Sequence, residues 1–235
     1  MACTYCVSSL KDHRRSPDEL SSEEMLSLVR ILKEYAGIEK VRLTGGEPLL
    51  YSKLTDIISG IREMDIISIG ITTNGQLLSR KVKKLHEAGL KNVNLSLDSL
   101  DPENFKRMGR VGKLNKTLEG IESCLNLGLS LKVNMVVIKG ENDNEILEML
   151  EYGVNKGIEI RYLELMGMGL LHKKNENQQV TMDEILSQIS TRFSIKPVRA
   201  DYDSTSLRYR VPGGYFGIIP NKSAPTTYTI EAKFK

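Results

Sequence analysis

Val41-Arg-Leu-Thr-Gly-Gly-Glu-Pro48 is the stretch that decides the fold, because a β-branched run leads here into two glycines, an acid and a proline. Two glycines at a strand end let a ligand approach the backbone closely. Glu47 can accept a hydrogen bond from a ligand ammonium, and Pro48 can open the following helix. An ordinary strand-to-helix turn explains the same residues equally well, so the flanking sequence has to distinguish the two interpretations.

On both sides of this stretch, short β-branched runs alternate with amphipathic segments of helical period. The predicted strands are 40–43, 67–72, 92–97, 131–138 and 158–165, and the predicted helices are 22–35, 54–64, 80–88, 114–127 and 144–156. Such an alternation is typical of βα units around a parallel sheet. The sheet is predicted to be either an open doubly wound sheet or a partial barrel.

The alternation of strands and helices ends after Gly169, and the polar stretch 172–179 is predicted to be a linker or flexible loop. A short helix over 181–190 follows, then strand-like pieces near 193–198, 206–211 and 215–219. The last residues, 223–235, show neither a helical period nor a clear partner strand. We therefore expect two parts, a parallel α/β core over 1–169 and a small α+β extension over 170–235.

Composition excludes several classes of protein. The 33 basic and 30 acidic residues leave a formal charge of +3, which is too small to favour nucleic acid or a membrane surface as a partner. Neither an apolar run of membrane-spanning length nor a signal peptide is present in the sequence. The three cysteines are few and odd in number, which argues against a disulfide framework. A cytoplasmic protein is the expectation.

Cys3 and Cys6 form a C-x-x-C motif, which is compatible with half a zinc site, a redox dithiol or two ligands of an iron–sulfur cluster. A zinc site needs two more ligands, and neither Cys124 nor the three isolated histidines supply a second pair at metal-binding spacing. Cys124 lies in a predicted apolar helix face and is interpreted as a buried structural thiol.

Four ordered motifs together resemble the radical S-adenosylmethionine (SAM) superfamily: C-x-x-C at 3–6, T-G-G-E-P at 44–48, T-T-N-G at 72–75 and N-L-S-L-D at 94–98. Within it, the run 3–169 resembles the GTP 3′,8-cyclase family, including H-E-A-G-L-K-N-V-N-L-S-L-D-S-L-D-P and I-R-Y-L-E-L-M. The resemblance implies a partial parallel (β/α)6 barrel of radical SAM type. Its ligands would sit at the carboxyl ends of the strands.

The resemblance also implies a set of site residues. Cys3 and Cys6 match two ligands of a [4Fe-4S] cluster; Tyr5, Gly46, Glu47, Ser96 and Met166 match SAM contacts; Arg42, Thr72 and Lys132 match contacts to GTP. Each also has a plainer interpretation, as a charge on the rim, a β-forming residue or core filling.

The implied reaction converts GTP to (8S)-3′,8-cyclo-7,8-dihydroguanosine 5′-triphosphate in molybdopterin biosynthesis. A 5′-deoxyadenosyl radical made from SAM at the cluster would abstract hydrogen from the ribose, so that the sugar carbon attacks C8 of guanine. The implied partners are GTP, a possible second copy of the chain and the downstream enzyme of the molybdopterin pathway, with neither nucleic acid nor membrane.

The sequence departs from the family at both ends. The family's first cluster cysteine and first strand would fall ahead of Met1, and no cysteine follows Cys124 to hold the family's second cluster. We therefore expect an incomplete copy, truncated at both ends, that lacks the first strand and assembles the cluster poorly. Two alternatives are a catalytically inactive remnant that binds SAM or a nucleotide, and a radical SAM enzyme that modifies peptides.

Overall fold

A computed structural model describes residues 3–5, 20–165, 177–199 and 205–220, and the backbone of 232–234. Its helices are α1 (Ser22–Ala36), α2 (Leu54–Arg62), α3 (Leu78–Ala88), α4 (Pro102–Gly109), α5 (Leu114–Asn126), α6 (Ile146–Lys156) and α7 (Met182–Ser190). Its strands are β1 (Lys40–Gly45), β2 (Ser68–Thr73), β3 (Asn92–Ser96), β4 (Ser130–Val137), β5 (Glu159–Glu164), β6 (Lys196–Val198), β7 (Leu207–Val211), β8 (Gly214–Ile219) and β9 (Ala232–Phe234). One-turn 3₁₀ helices cover Pro48–Leu50 and Asp143–Glu145.

The described residues form two compact units. Unit A comprises 20–95, 115–131 and 232–234, and unit B comprises 3–5, 96–114, 132–165, 177–199 and 205–220. In unit A, β1, β2 and β3 are consecutive parallel neighbours, and β9 pairs parallel with β1. In unit B, β4, β5 and β8 are parallel neighbours, and β7 and β6 extend that sheet antiparallel.

The sheet of unit A has one apolar and one polar face, because side chains alternate along a strand. The apolar face carries Leu43, Ile69, Ile71, Val93 and Leu95, all buried. Buried residues of α2 and α3 complete this core. On the opposite face the register pairs Arg42 with Gly70 and Thr72 with Asn94. Polar side chains from three neighbouring strands therefore share one face.

Unit B repeats this division. The register pairs Lys132 with Glu159 and Asn134 with Arg161 on the polar face. The opposite face is buried, and there the ring of Tyr162 meets that of Phe216 edge-on, with 6.1 Å between centroids. Helix α6 packs against this face through buried Ile146, Met149 and Leu150 among others.

The predicted α/β class with a mostly parallel sheet is confirmed, and each predicted strand and helix of the βα alternation is present within a few residues. Capping boxes are present at Ser21 and Thr181, and Gly37 and Gly157 end α1 and α6 in the left-handed conformation. Helix α4 was not predicted, although Asp101 caps it by accepting a hydrogen bond from the Asn104 amide at 2.7 Å. Its eight residues are too few to show a helical period.

The structure contradicts the expectation for the C-terminal segment and tests the predicted linker only in part. The C-terminal segment was predicted to lack a partner strand; this was wrong, since 232–234 pair with Leu43 to Gly45 of β1. Of the predicted linker, 172–176 lie outside the described residues, and Gln179 forms a bridge with Ile138. The boundary predicted at 169 stays a prediction. Among the described helices, none has the length and apolar character needed to cross a membrane.

Candidate functional site

The Gly45-Gly46-Glu47 turn follows β1 at its carboxyl end. Gly45 adopts a φ of 153°, and Gly46 is exposed. One carboxylate oxygen of Glu47, Oε1, accepts the Leu49 amide at 3.0 Å and so caps the short helix that Pro48 opens. The turn is thus shaped by its own acid, and it presents backbone groups at the strand end where parallel sheets bind ligands.

Glu47 also joins this turn to the end of β2. Its Oε1 accepts the Thr73 hydroxyl at 2.7 Å, and its Oε2 accepts the Asn74 amide at 2.9 Å. A carboxylate offers about four lone-pair positions. Three internal donors use three of them, so one remains for a ligand ammonium. The predicted cofactor contact of Glu47 stays a prediction, and the structure adds a second role, which is to hold two strand-end loops together.

The T-T-N-G loop after β2 is fixed by its own side chains. Asn74 Oδ1 accepts the Gln76 amide at 3.0 Å, and the Gln76 side chain donates to Thr117 Oγ1 at 2.7 Å. Gly75 has a φ of 77°, and a Cβ there would lie 2.9 Å from Leu95 Cδ1. Only glycine satisfies both the dihedral angle and the space.

Of the residues predicted to contact the nucleotide, unit A brings two onto one face. Arg42 is exposed and its Nε lies 3.9 Å from where a Cβ of Gly70 would stand, while Thr72, two residues further along β2, is half-buried on that same side. Ser96 ends β3 and is half-buried. Lys132 belongs to unit B, and Cys6 and Met166 lie outside the described residues.

Lys132 takes part in a cluster of three cations around Glu159. Lys132 Nζ and Arg161 Nε lie 3.2 and 3.4 Å from Glu159 Oε1, and Arg208 Nε lies 2.9 Å from Oε2. The Arg208 Nε–H is not aligned for a hydrogen bond, so that contact is an ion pair only. One carboxylate cannot neutralise three cations. This cluster of four side chains therefore carries a net charge of +2.

Burial and mutual repulsion set the protonation of this cluster. Burial lowers the pKa of Lys132, and the nearby charge of Arg161 lowers it further, while Glu159 opposes both. Burial would raise the pKa of Glu159, but attraction to Lys132, Arg161 and Arg208 outweighs it, so that pKa is lowered. An additional anion would relieve the repulsion among the three cations.

The C-x-x-C segment is described at Cys3, Thr4 and Tyr5. The Thr4 amide donates to Met108 O at 3.0 Å. The half-buried Tyr5 ring packs against the apolar cluster of Met108, Ile138 and Leu165. Its hydroxyl donates to Asp98 Oδ2 at 2.6 Å. A backbone hydrogen bond, apolar packing and a side-chain hydrogen bond thus hold the segment against the rest of unit B.

Asp98 is 6 % exposed and bound from several directions. Its Oδ1 accepts the Val136 amide at 3.0 Å, and its carbonyl accepts the side-chain amide of Asn142 at 2.7 Å. Burial raises the pKa of Asp98 to about 6, although the hydrogen bonds from Tyr5 and Val136 act in the opposite direction.

This shift predicts a pH dependence of stability. The folded chain binds the Asp98 proton more tightly than the unfolded chain, where the pKa is near 3.8. The stabilisation that comes from protonated Asp98 is therefore complete below about pH 4 and is lost as pH rises through 6. This loss lowers the free energy of unfolding by at most about 3 kcal/mol. Urea unfolding should be measured for the wild type and Asp98→Asn between pH 4 and 7. As pH rises, the free energy of unfolding of the wild type should fall relative to that of Asp98→Asn. A constant difference would contradict the assignment.

Two features decide whether these residues fit the cofactors of a radical SAM protein. Asn134 lies on the polar face beside Lys132, and its buried side-chain oxygen has no hydrogen-bond partner. This oxygen can therefore accept a hydrogen bond from a ligand. Cys3 supplies a half-buried thiol in the segment that Tyr5 anchors. In the described part of the chain no group of three His, Cys, Asp or Glu forms a ready metal site, and Cys6 lies outside it. Soft thiolate and a spare acceptor suit an iron–sulfur cluster and SAM.

Sequence reasoning gave no role to five polar residues of unit B, although two of them stand in quoted motifs: Asp98, Asn134, Glu159, Arg161 and Arg208. Asn134 stands two positions after Lys132, so strand alternation alone could have placed it on the same face. Arg161 and Arg208 become neighbours of Lys132 only through the register of four strands, β4, β5, β8 and β7, which the sequence does not give.

Comparison with known proteins identifies the family. The model of the radical SAM superfamily matches residues 1–153. The GTP 3′,8-cyclase of Alkaliphilus oremlandii is 38% identical over 220 residues, which is 91% of this chain and 67% of that enzyme. The GTP 3′,8-cyclase of Aquifex aeolicus is 37% identical over 230 residues, which is 96% of this chain and 72% of that enzyme.

Solved structures agree at the level of the fold. Tagged anSMEcpe with bound AdoMet gives a TM-score of 0.65 at 20% identity, over 81% of this chain and 54% of that one. Streptococcus suis SuiB bound to S-adenosylmethionine gives 0.62 at 18% identity, over 80% of this chain and 40% of that one. The predicted fold class is therefore confirmed as that of radical SAM proteins. The chain belongs to the radical SAM superfamily and, within it, to the GTP 3′,8-cyclase family.

Proposed function

We propose that this chain catalyses, or is a part of a protein that catalyses, the cyclisation of GTP by radical SAM chemistry. One observation carries the proposal beyond family membership: the excess positive charge on the polar face of unit B, where Lys132, Arg161 and Arg208 share one carboxylate. A triphosphate is the anion that such a group of cations binds best, because guanidinium groups contact phosphate oxygens in pairs.

Further residues are assigned to cofactors and substrate as proposals. Cys3 and Cys6 would ligate the cluster; Tyr5, Gly46, Glu47, Ser96 and Met166 would contact SAM; Arg42, Thr72 and Lys132 would contact GTP. Bound together, the cluster and SAM supply the one-electron chemistry. The chain's own residues orient the nucleotide: Glu47 fixes the two strand-end loops of unit A, and the cations of unit B hold phosphate.

Lys132 provides the test. In the Lys132→Ala variant, GTP binding measured by calorimetry should weaken about tenfold or more, because a charge-assisted contact is lost. The matched control is Lys84→Ala, which removes an exposed lysine of α3 and should leave the affinity unchanged. Equal affinities for the wild type and Lys132→Ala would exclude Lys132 from the nucleotide site.

The alternatives give different results in the same assays. A chain that binds SAM but no GTP would favour a peptide-modifying radical SAM enzyme. A chain that binds SAM or GTP but forms no cluster after anaerobic reconstitution with iron and sulfide would favour a remnant that only binds. GTP-dependent cleavage of SAM to 5′-deoxyadenosine, with a cyclised nucleotide as product, would establish the proposal.

The remaining expectations are kept as proposals. They are a cytoplasmic location, a possible homodimer, a downstream partner in the molybdopterin pathway, and a domain boundary near residue 169. The balanced charge of the sequence supports the absence of a nucleic-acid partner.

A further inference from the structure

Tyr5 stands between the two cysteines of the C-x-x-C motif, and its hydroxyl reaches Asp98, 93 residues away in the sequence. We propose that Asp98 is a positioning residue, which fixes the orientation of the segment 3–5, with its Cys3 thiol, through the Tyr5 hydroxyl. Asp98 would contact neither the cluster nor SAM. The inference rests on the proposed function, in which this segment holds the cluster.

Asp98 is suited to this task because it is itself held rigidly. The Val136 amide binds Oδ1, which leaves Oδ2 directed at Tyr5. Asn142 donates to the carbonyls of both Asp98 and Val136, at 2.7 and 2.8 Å, and accepts the Ile138 amide at 2.8 Å. The anchor therefore belongs to a network that joins the loop after β3 to the end of β4.

The apolar packing and the backbone hydrogen bond of the segment do not set its orientation by themselves. The apolar cluster of Met108, Ile138 and Leu165 holds the Tyr5 ring without directionality. The Thr4 amide bonded to Met108 O fixes one backbone point. A hydrogen bond at the far end of the ring adds a second fixed point, and two points define the direction in which the Cys3 side chain leaves the backbone.

The chemistry of the acceptor also matters. Two donors, the Tyr5 hydroxyl and the Val136 amide, arrive at two different oxygens, so both are satisfied by a carboxylate. An asparagine offers one acceptor oxygen, and the tyrosine hydroxyl would have to turn and accept from the amide nitrogen. Asp98→Asn should therefore keep part of the hold that Asp98 has on the Tyr5 hydroxyl, and Asp98→Ala should keep none of it.

The test is the alkylation rate of Cys3 by iodoacetamide in the chain without cofactors, resolved by mass spectrometry and measured across pH. The pH profile separates the limiting rate, which reports exposure, from the thiol pKa. Tyr5→Phe and Asp98→Ala should each raise the limiting rate about fivefold, as expected for one lost hydrogen bond. Asp98→Asn should fall between them and the wild type, and the Tyr5→Phe/Asp98→Ala double variant should not exceed the larger single effect.

Tyr162→Phe is the matched control, since the Tyr162 hydroxyl is also buried in unit B and donates one hydrogen bond, to Ile146 O at 2.7 Å. It should lower the melting temperature without changing Cys3 alkylation, and buried Cys124 should stay slow throughout. An unchanged Cys3 rate in Tyr5→Phe, or an equal rise in Tyr162→Phe, would overturn the inference.

A second measurement separates this inference from the proposed function. Iron content after anaerobic reconstitution should fall in Asp98→Ala and stay at the wild-type level in Tyr162→Phe. If the wild type binds no iron while the alkylation results hold, the positioning of the segment stands and its role in holding a cluster fails. If the wild type binds iron and Asp98→Ala binds an equal amount, the positioning role is wrong.

Discussion

Replacing Glu47 with alanine should lower the free energy of unfolding by about 4 kcal/mol and weaken SAM binding at least tenfold. Three donors lose their acceptor together, namely the Leu49 amide, the Thr73 hydroxyl and the Asn74 amide. Each unsatisfied donor costs about 1–3 kcal/mol, and water reaching this half-buried site recovers part of that. Urea unfolding and calorimetric titration with SAM measure the two effects.

Two variants control this prediction. Glu47→Gln keeps the shape and one acceptor oxygen, so it should give an intermediate loss of stability. Glu87→Ala removes an exposed carboxylate of α3 and should change neither stability nor binding. A loss below about 1 kcal/mol in Glu47→Ala would mean that the carboxylate does not hold the two loops together.

Glu47 illustrates what the sequence could and could not provide. The strand, the glycine pair and the proline predicted a turn at a strand end, and the structure has that turn. The partners Thr73 and Asn74 could not be foreseen, because they depend on which strands are neighbours and on their register. Local pattern predicts where a polar residue lies along the chain, whereas the register decides what it contacts.

The same distinction applies to the cations of unit B. Lys132 was singled out because it matches a position that contacts GTP in the family, and alternation puts it on a polar face. Arg208 could not be grouped with it from the sequence, since β7 reaches it only through β8 and β5. Asp98 was present in a quoted motif but gained a role only when the fold brought Tyr5 to it.

Glycines in helices show a further limit of sequence patterns, because Gly60 in α2 and Gly153 in α6 look alike in the sequence. A Cβ at Gly153 would clash with Ile160 Cγ1 and would lie 2.8 Å from the carbonyl oxygen of Ile158. A Cβ at Gly60 would meet only the end of the Leu26 side chain, at 2.8 Å, beside an open groove. Backbone cannot move aside, whereas the end of a leucine side chain can.

Opposite effects are therefore expected for the same substitution. Gly153→Ala should lower the free energy of unfolding by about 3 kcal/mol or more, because α6 is forced away from β5. Gly60→Ala should raise it by up to about 1 kcal/mol, because alanine favours a helix and Leu26 can turn into the groove. Urea unfolding of both variants measures the contrast. If both variants gained stability, α6 would not approach β5 as closely as the structure shows, and the packing of α6 on the apolar face of unit B would have to be redrawn.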